Sequence, residues 1–178
     1  MKKLLLHVHD APSAMQVINS LKKDYKISMF FYNPNIHPKE EFNKRLKDVK
    51  KVADMEDIEL FIHDHDDDTW FEKTEGHDKD PEGGERFELC FDLRLSTSAL
   101  FAKDNKFKMF GTTLSISPYK NHFLINELGK KLTEQHNIEF LNKDYKENHG
   151  YEKSIELGIA NKFYRPTYSG CLPSKKDS

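Results

Sequence analysis

Short apolar runs alternate with longer helical periods along this chain, and that alternation restricts its fold more than any other feature. The apolar runs have the length of buried strands and span 3–8, 27–32, 58–63, 108–113 and 138–141. Segments with apolar residues at helical spacing span 14–23, 39–55, 86–103, 123–135 and 151–160. This order predicts an α/β domain whose mostly parallel sheet has helices on both faces.

Polar loops follow most of the predicted strands, at 9–13, 33–38, 64–68 and 114–121. Parallel strands end at one edge of a sheet, and ligands bind beyond the carboxyl ends of such strands. We therefore expect these loops to gather at one rim. The chain has no glycine-rich phosphate loop of either common type, so the residues alone do not indicate nucleotide binding.

The length of 178 residues fits one domain, 1–178, in which 175–178 has the composition of a loose tail. No apolar run is long enough to span a membrane, and the apolar start at 4–6 is too short for a signal peptide. We expect a cytoplasmic protein that has no membrane partner. The two cysteines, Cys90 and Cys171, say little about the redox compartment.

The small net charge of −2 hides an uneven distribution of charged residues. Residues 54–82 contain 13 acidic and 2 basic side chains, out of 30 and 28 in the chain, which leaves 17 acidic and 26 basic, or +9, elsewhere. A polyanion could bind this basic remainder if the charges share a face. Scattered, solvated lysines are the alternative.

Several polar residues have a spacing that suits ligand binding. Arg86, Cys90 and Arg94 recur at intervals of four after a pair of glycines, so they lie near one face of a predicted helix. These arginines suit either phosphate or ribose contacts, or pairing with buried carboxylates. Ser117-Pro118 predicts a helix start that places Lys120 in the first turn, where it suits a phosphate.

The segment 63–68, HDHDDD, contains six potential metal ligands. If the preceding strand continued, alternate side chains of this segment would share one side and could converge on an ion. We instead interpret the segment as a solvated turn that caps the following helix.

Four blocks of the sequence resemble those of the QueH-type epoxyqueuosine reductases, in order and over nearly the whole chain. They are 30–38 (FFYNPNIHP), 81–95 (PEGGERFELCFDLRL), 112–122 (TTLSISPYKNH) and 164–171 (YRPTYSGC). The resemblance implies a Rossmann-like fold related to the adenine nucleotide alpha hydrolases. It also implies reductive removal of the epoxide oxygen of epoxyqueuosine in a tRNA anticodon, with contacts to substrate by Asn33, Asn35, Arg86, Lys120 and Asn121.

The family is understood to hold a [4Fe–4S] cluster on four cysteines, whose positions here are His9, Asp10, Phe87 and Cys90. Thiolates suit such clusters, and phenylalanine cannot bind a metal at all. The resemblance therefore implies a cluster that is absent or replaced by a single metal ion on His9, Asp10 and Cys90, a mixed set that suits zinc or iron. Adjacent side chains on an extended segment point apart, and Asp10 as the cap of the following helix is the alternative.

The family's tail carries two cysteines that are proposed as a redox-active pair. Ser169 stands at the first position and Cys171 at the second, while Ser13 replaces a further family cysteine after the first strand. Serine cannot take part in thiol–disulfide exchange, so the catalytic pair is degenerate. Pairing of Cys171 with Cys90 stays open.

Three hypotheses follow. The first is a protein of tRNA queuosine modification whose reductase activity is lost or altered, because no residue set obviously supplies the two electrons. The second is a non-catalytic relative that keeps the scaffold and tRNA binding. The third is a mononuclear metal enzyme that uses His9, Asp10 and Cys90.

Overall fold

The computed structural model describes residues 1–176 and confirms the predicted α/β architecture. Within them, a five-stranded sheet has the order β3-β2-β1-β4-β5, and all neighbouring strands are parallel. The strands are β1 (Lys2–His7), β2 (Tyr25–Phe31), β3 (Leu60–Ile62), β4 (Met109–Thr112) and β5 (Glu139–Phe140). Every predicted apolar run overlaps a strand, and the ends agree to within two residues.

Helices cover both faces of the sheet. They are α1 (Ala11–Leu21), α2 (Lys39–Glu56), α3 (Asp67–Lys73), α4 (Glu85–Asp104), α5 (His122–His136), α6 (Gly150–Ala160) and α7 (Leu172–Lys176), with 3₁₀ turns at Thr113–Ile116 and Glu147–His149. Helices α1, α2 and α6 lie on one face, and α4 and α5 lie on the other.

The central strand β1 shows why its sequence is a continuous apolar run. Leu4 and Leu6 are fully buried in the core formed with α1 and α2, whereas Leu5 is fully buried in the core formed with α4 and α5. Successive side chains of a strand point to opposite faces, so a strand covered on both faces must be apolar throughout. Each buried leucine contributes about 1.5–3 kcal/mol.

Local structure differs from the prediction at two short helices and one helix start. Helices α3 and α7 have 7 and 5 residues, too few to show a helical period in the sequence. The expected tail at 175–178 begins inside α7, and positions 177 and 178 lie outside the described residues. The predicted helix start at Ser117-Pro118 is wrong, because α5 begins at His122.

The strand order creates a crevice beyond the carboxyl ends of β1 and β4. β1 pairs with β2 on one side and with β4 on the other, and the chain leaves these strands toward opposite faces of the sheet. Open parallel sheets bind ligands at such a switch point. Across residues 1–176, no helix is long and apolar enough to cross a membrane.

Candidate functional site

Two adjoining cavities lie at this crevice. The outer cavity has a volume of about 340 Å³, and its lining includes His9, Asp10, Ser13, Arg45, Tyr151 and Tyr168. The inner pocket has a volume of about 30 Å³, and its lining includes Asn35, Trp70, Arg86, Cys90, Arg94 and Cys171. Phe87, Lys120 and Ser169 line both cavities and therefore form their common wall. A further cavity of about 400 Å³, between α1 and residues 143–153, lies away from these loops.

His9 and Asp10 form a closed hydrogen-bond network at the end of β1. His9 Nδ1 lies 2.7 Å from Thr113 Oγ1, and His9 Nε2 lies 3.1 Å from Asp10 Oδ2. Asp10 Oδ1 accepts a hydrogen bond of 2.9 Å from the backbone N–H of Ser13 and so caps α1. The predicted capping role of Asp10 is confirmed.

The charges of this network follow from burial and contact. Burial lowers the pKa of His9 to about 4, although Asp10 acts in the opposite direction. Burial alone would raise the pKa of Asp10, but His9 and the hydrogen bonds from Ser13 hold it well below its ordinary value. At neutral pH a neutral imidazole therefore donates from Nε2 to an ionised carboxylate and accepts at Nδ1 from Thr113.

The strand register explains why Thr113 meets His9. His7 at the end of β1 is paired with Thr112 at the end of β4. Their side chains also meet, with 2.9 Å between His7 Nδ1 and Thr112 Oγ1. The chain beyond each strand then brings the next histidine and the next threonine together across the switch point.

Cys90 and Cys171 are free, buried thiols that pack with Trp70 in a small apolar cluster. Burial raises the pKa of Cys90, and Arg94, whose Nη1 lies 3.9 Å from the sulfur, offsets this only in part. The indole N–H of Trp70 also lowers the pKa of Cys90. Its geometry is not that of a hydrogen bond, so Trp70 Nε1 has no partner. Cys90 is therefore a protonated thiol at neutral pH, a poor metal ligand and nucleophile.

The two arginines of α4 point into the protein. Arg86 is 1% exposed, and its Nη1 donates to three carbonyl groups of the 77–80 turn at 2.8–3.4 Å. Arg94 is 3% exposed, and its Nη2 donates to Asn33 Oδ1 at 2.8 Å. Neither guanidinium forms an ion pair with a carboxylate of the described residues. The expected alternative of pairing with buried carboxylates is therefore wrong.

Two of the residues expected at the substrate have structural partners instead. Asn33 Nδ2 donates to the carbonyl of Val8 at 2.9 Å, while its Oδ1 accepts from Arg94, so its amide ties the loop after β2 to its neighbours. Asn121 is the N-cap of α5, accepts from the N–H of Leu124 at 3.2 Å, and lines neither cavity. The expected contacts of Asn33 and Asn121 with a ligand are not supported.

Asn35 and Lys120, which were also expected at the substrate, do line the cavities. Asn35 lines the inner pocket, and its Oδ1 has no hydrogen-bond partner. Lys120 is half-buried and lies in the turn before α5, not in a first helical turn. Burial and the neighbouring Arg94 lower the pKa of Lys120 to about 8.

The chain near residue 170 is fixed to α2 through Arg45. Arg45 Nε donates to Glu41 at 2.9 Å, and its two terminal nitrogens donate to the carbonyls of Tyr168 and Ser169 at 2.9 and 3.2 Å. This arrangement brings Ser169 to the wall of both cavities and Cys171 to the inner pocket.

The acidic segment 63–68 leads into α3 as predicted, but no side chain caps a backbone N–H of this helix. Asp66 occupies the N-cap position, and its carboxylate accepts from Thr69 Oγ1 at 2.7 Å. His65 is held by the carbonyl of Ile36 at 2.8 Å. Among residues 1–176, no group of three or more His, Cys, Asp or Glu side chains could hold a metal ion.

Comparison with known proteins identifies the family. The family model for epoxyqueuosine reductase QueH matches residues 4–177. The chain belongs to the QueH family. Epoxyqueuosine reductase QueH of Acinetobacter baylyi is 37% identical over 180 residues, which cover 99% of this chain and 82% of that protein. The QueH of Staphylococcus epidermidis is 36% identical over 179 residues, which cover 96% and 75%.

A solved structure with a different sequence shares the fold. A predicted subunit of a tRNA methyltransferase from Methanocaldococcus jannaschii has a TM-score of 0.63 and 12% identity, and the match covers 90% of this chain and 76% of that chain. The likeness concerns the fold alone. Together with the parallel sheet, it confirms the predicted Rossmann-like α/β class.

The residues of this QueH-family chain do not fit the [4Fe–4S] cluster that the family resemblance implies. The four corresponding positions do gather at the two cavities, with Phe87 on the wall between them. Only Cys90 offers a thiol, and Phe87 has no donor atom. The proposed mononuclear set is not assembled either, because His9 and Asp10 line the outer cavity and bond to each other, whereas Cys90 lines the inner pocket.

Sequence patterns did not single out several residues that define the site. Arg45, Tyr151 and Tyr168 line the outer cavity, and Trp70 lines the inner pocket. All four lie on helices or in the C-terminal segment, outside the loops that follow the strands. Two signals were available: Tyr168 lies in the block 164–171 that resembles the family, and Trp70 is the sole tryptophan of the chain.

Proposed function

We propose that this QueH-family protein takes part in queuosine modification of tRNA in the cytoplasm by binding the modified anticodon nucleoside, and that the family's reductase chemistry is lost or altered. The observation that carries the proposal is the donor set at positions 9, 10, 87 and 90. These positions gather at one place, but they offer one protonated thiol, and the imidazole and carboxylate bond to each other.

The composition of the outer cavity supports nucleoside binding. Its volume of about 340 Å³ lies in the range of small-molecule sites. Tyr119, Tyr151 and Tyr168 line it together with Lys120. The rings of Tyr119 and Tyr151 lie 6.4 Å apart, and Tyr119 is 71% exposed. Exposed aromatic rings stack on the unpaired bases of RNA loops, and a cation beside them favours the phosphate backbone.

The chemistry of reduction supports the loss of activity. Removing an epoxide oxygen as water consumes two electrons and two protons. A dithiol can supply both by closing to a disulfide, but Ser169 has no sulfur to pair with Cys171. The thiol of Cys90 is buried and protonated, so it does not replace the missing partner as a nucleophile.

Anaerobic reconstitution with iron and sulfide tests the lost chemistry. The chain should acquire no stoichiometric cluster absorption in the visible range. The triple variant His9→Cys, Asp10→Cys, Phe87→Cys should gain it, and adding Cys90→Ala to that variant should remove it again. A stoichiometric cluster in the unmodified chain would overturn the proposed loss of reductase chemistry.

A mobility shift with an anticodon stem-loop RNA tests the binding. Tyr151→Ala should weaken binding by about tenfold, since one stacked base contributes about 1–3 kcal/mol. Tyr25→Ala is the matched control, because Tyr25 begins β2 at the opposite end of the sheet. Equal binding by both variants, or no binding by the unmodified chain, speaks against a nucleoside site in the outer cavity.

A further inference from the structure

Three residues that line the inner pocket carry buried N–H groups that have no acceptor. Trp70 Nε1, Arg86 Nε, Arg86 Nη2 and Arg94 Nε are all buried, and none has a hydrogen-bond partner. Buried donors are almost always satisfied, and an unsatisfied one is costly, above all when it carries charge. Four such atoms from three residues of one pocket indicate a missing acceptor.

The charged side chains that line the inner pocket are all positive. Arg86, Arg94 and Lys120 line the pocket, and no carboxylate does. Asp80 lies close enough to Arg86 for the two charges to interact, but its carboxylate accepts from the backbone N–H of Arg86 and from His77, not from the guanidinium. Buried charges are normally paired, so these cations favour an anion from outside the chain.

The geometry of Arg86 narrows the chemistry of that anion. Its Nη1 is occupied by backbone carbonyls, which leaves the Nε–Nη2 edge free. This edge presents two parallel N–H groups and matches two oxygens of a carboxylate or a phosphate. The guanidinium carbon also lies 5.7 Å from the centre of the Phe87 ring, a contact that compensates its charge only in part.

We propose that the inner pocket binds a small tetrahedral oxyanion, of the phosphate or sulfate class, between Trp70, Arg86, Arg94 and Lys120. The volume of about 30 Å³ admits an ion of this size and excludes a nucleoside. The unpartnered acceptor Asn35 Oδ1 suits the proton of a hydrogenphosphate ion. The site goes beyond the proposed function, and its first test uses no RNA, so the two proposals fail separately.

Thermal unfolding of the full chain tests the site, with sodium phosphate or sodium sulfate compared against sodium chloride at equal ionic strength. The oxyanions should raise Tm by about 5 °C more than chloride does, because a ligand that binds only the folded state stabilises it. Calorimetric titration with sodium phosphate gives the affinity. In Arg86→Gln the dissociation constant should rise at least about tenfold, since two charge-assisted hydrogen bonds are lost.

Two further variants keep the test decisive. Trp70→Phe removes one unpartnered N–H while it keeps an aromatic ring, so it replaces Arg86→Gln as the test if that variant does not fold. Arg165→Gln removes an exposed arginine that lines neither cavity and should leave phosphate binding unchanged. Phosphate that stabilises no more than chloride overturns the proposal, as does an equal loss of binding in Arg165→Gln and Arg86→Gln.

An anticodon stem-loop RNA, added to the phosphate-bound protein, distinguishes two sources of the oxyanion. Release of phosphate that follows RNA binding assigns the pocket to an RNA phosphodiester group. Retention of phosphate in the complex assigns it to the free ion. Either result supports an oxyanion as the occupant.

Discussion

The outer cavity and the inner pocket share a wall, yet they differ in whether their buried polar groups have hydrogen-bond partners. Around the outer cavity, His9 bonds to Thr113 and Asp10, and Arg45 bonds to Glu41 and two carbonyls. Around the inner pocket, Arg94 retains a buried nitrogen without a partner. His9 and Asp10, which stand at family cysteine positions after β1, therefore belong to a hydrogen-bond network that is complete without a cofactor. Arg86 and Arg94, by contrast, line a pocket that contains no carboxylate.

This difference separates two contributions to stability. A buried polar group with partners resists removal, because its partners are left unsatisfied. A buried charge without a partner costs free energy in the folded state, so its removal is tolerated. The two cavities should therefore respond differently to mutation, and the following predictions are ordered from the largest expected effect to the smallest.

Arg45→Met should cause the largest loss, about 3–5 kcal/mol of the free energy of unfolding, because it leaves Glu41 as a buried charge without its partner. Two carbonyls of the C-terminal segment also lose their donor. Denaturant titration measures the loss. Arg165→Met, at an exposed position, should stay within about 0.5 kcal/mol of the unmodified chain. A loss below about 1 kcal/mol for Arg45→Met would contradict the claim that the polar groups around the outer cavity stabilise the fold through their partners.

Acid should destabilise the outer network through His9. The folded pKa of His9 is about 4, against 6.5 for the free side chain. The unfolded chain therefore binds more protons between these values, so the stabilisation is complete above pH 6.5 and is lost as pH falls toward 4, by about 3 kcal/mol. His37 and His7 act in the same direction.

Denaturant titrations at several pH values measure this dependence in His9→Gln and in a control. In His9→Gln the loss of stability on acidification should be smaller, because the contribution of His9 is missing while those of His7 and His37 remain. His136→Gln, at the end of α5, should keep the full slope of the unmodified chain. Identical slopes in all three proteins would show that His9 does not titrate as the network requires.

Thr113→Val should cost about 1–3 kcal/mol, because it removes the hydroxyl group that donates to the buried Nδ1 of His9. The substitution preserves the shape of the side chain, so packing contributes little. Thr167→Val, at an exposed position, is the control and should change stability by less than about 0.5 kcal/mol. Equal effects at both threonines would show that the hydrogen bond between Thr113 and His9 does not contribute to stability.

Arg94→Met should have the smallest effect, within about 1 kcal/mol in buffer free of phosphate and sulfate. The lost hydrogen bond to Asn33 is offset because a buried charge without a counter-ion disappears. Chemical denaturation measures the change beside that of Arg45→Met. A destabilisation as large as that of Arg45→Met would erase the difference between the two regions.

The sequence predicted most of the architecture because its signals are local. The continuous apolar runs placed every strand to within two residues, and Asp10 before Ala11-Pro12 correctly indicated a helix cap. The family blocks were also sufficient to assign the chain to QueH. Helix α7 escaped prediction, and α3 was anticipated only as a helix after the acidic turn, because one or two turns carry no measurable period.

The site was harder to predict, because its state depends on contacts between distant segments. The sequence around Asn33 and around Arg94 suited contacts with a ligand. The two residues lie 61 positions apart, and they bond to each other instead. Asn121 was expected at the substrate, and the start of α5 at His122 makes it the N-cap of that helix. Hydrogen-bond partners across such separations leave no periodic trace in a sequence.

The sequence by itself determined the parallel sheet, the rim at which its loops gather and the missing thiols, since apolar periodicity and residue type are properties of the chain alone. Only the tertiary structure decided which polar groups have partners. It placed His9 against Thr113 across the switch point, and it buried Arg86 and Arg94 around a pocket without an anion of its own. Partnership depends on which atoms meet and on the water they lose, and the fold alone determines both.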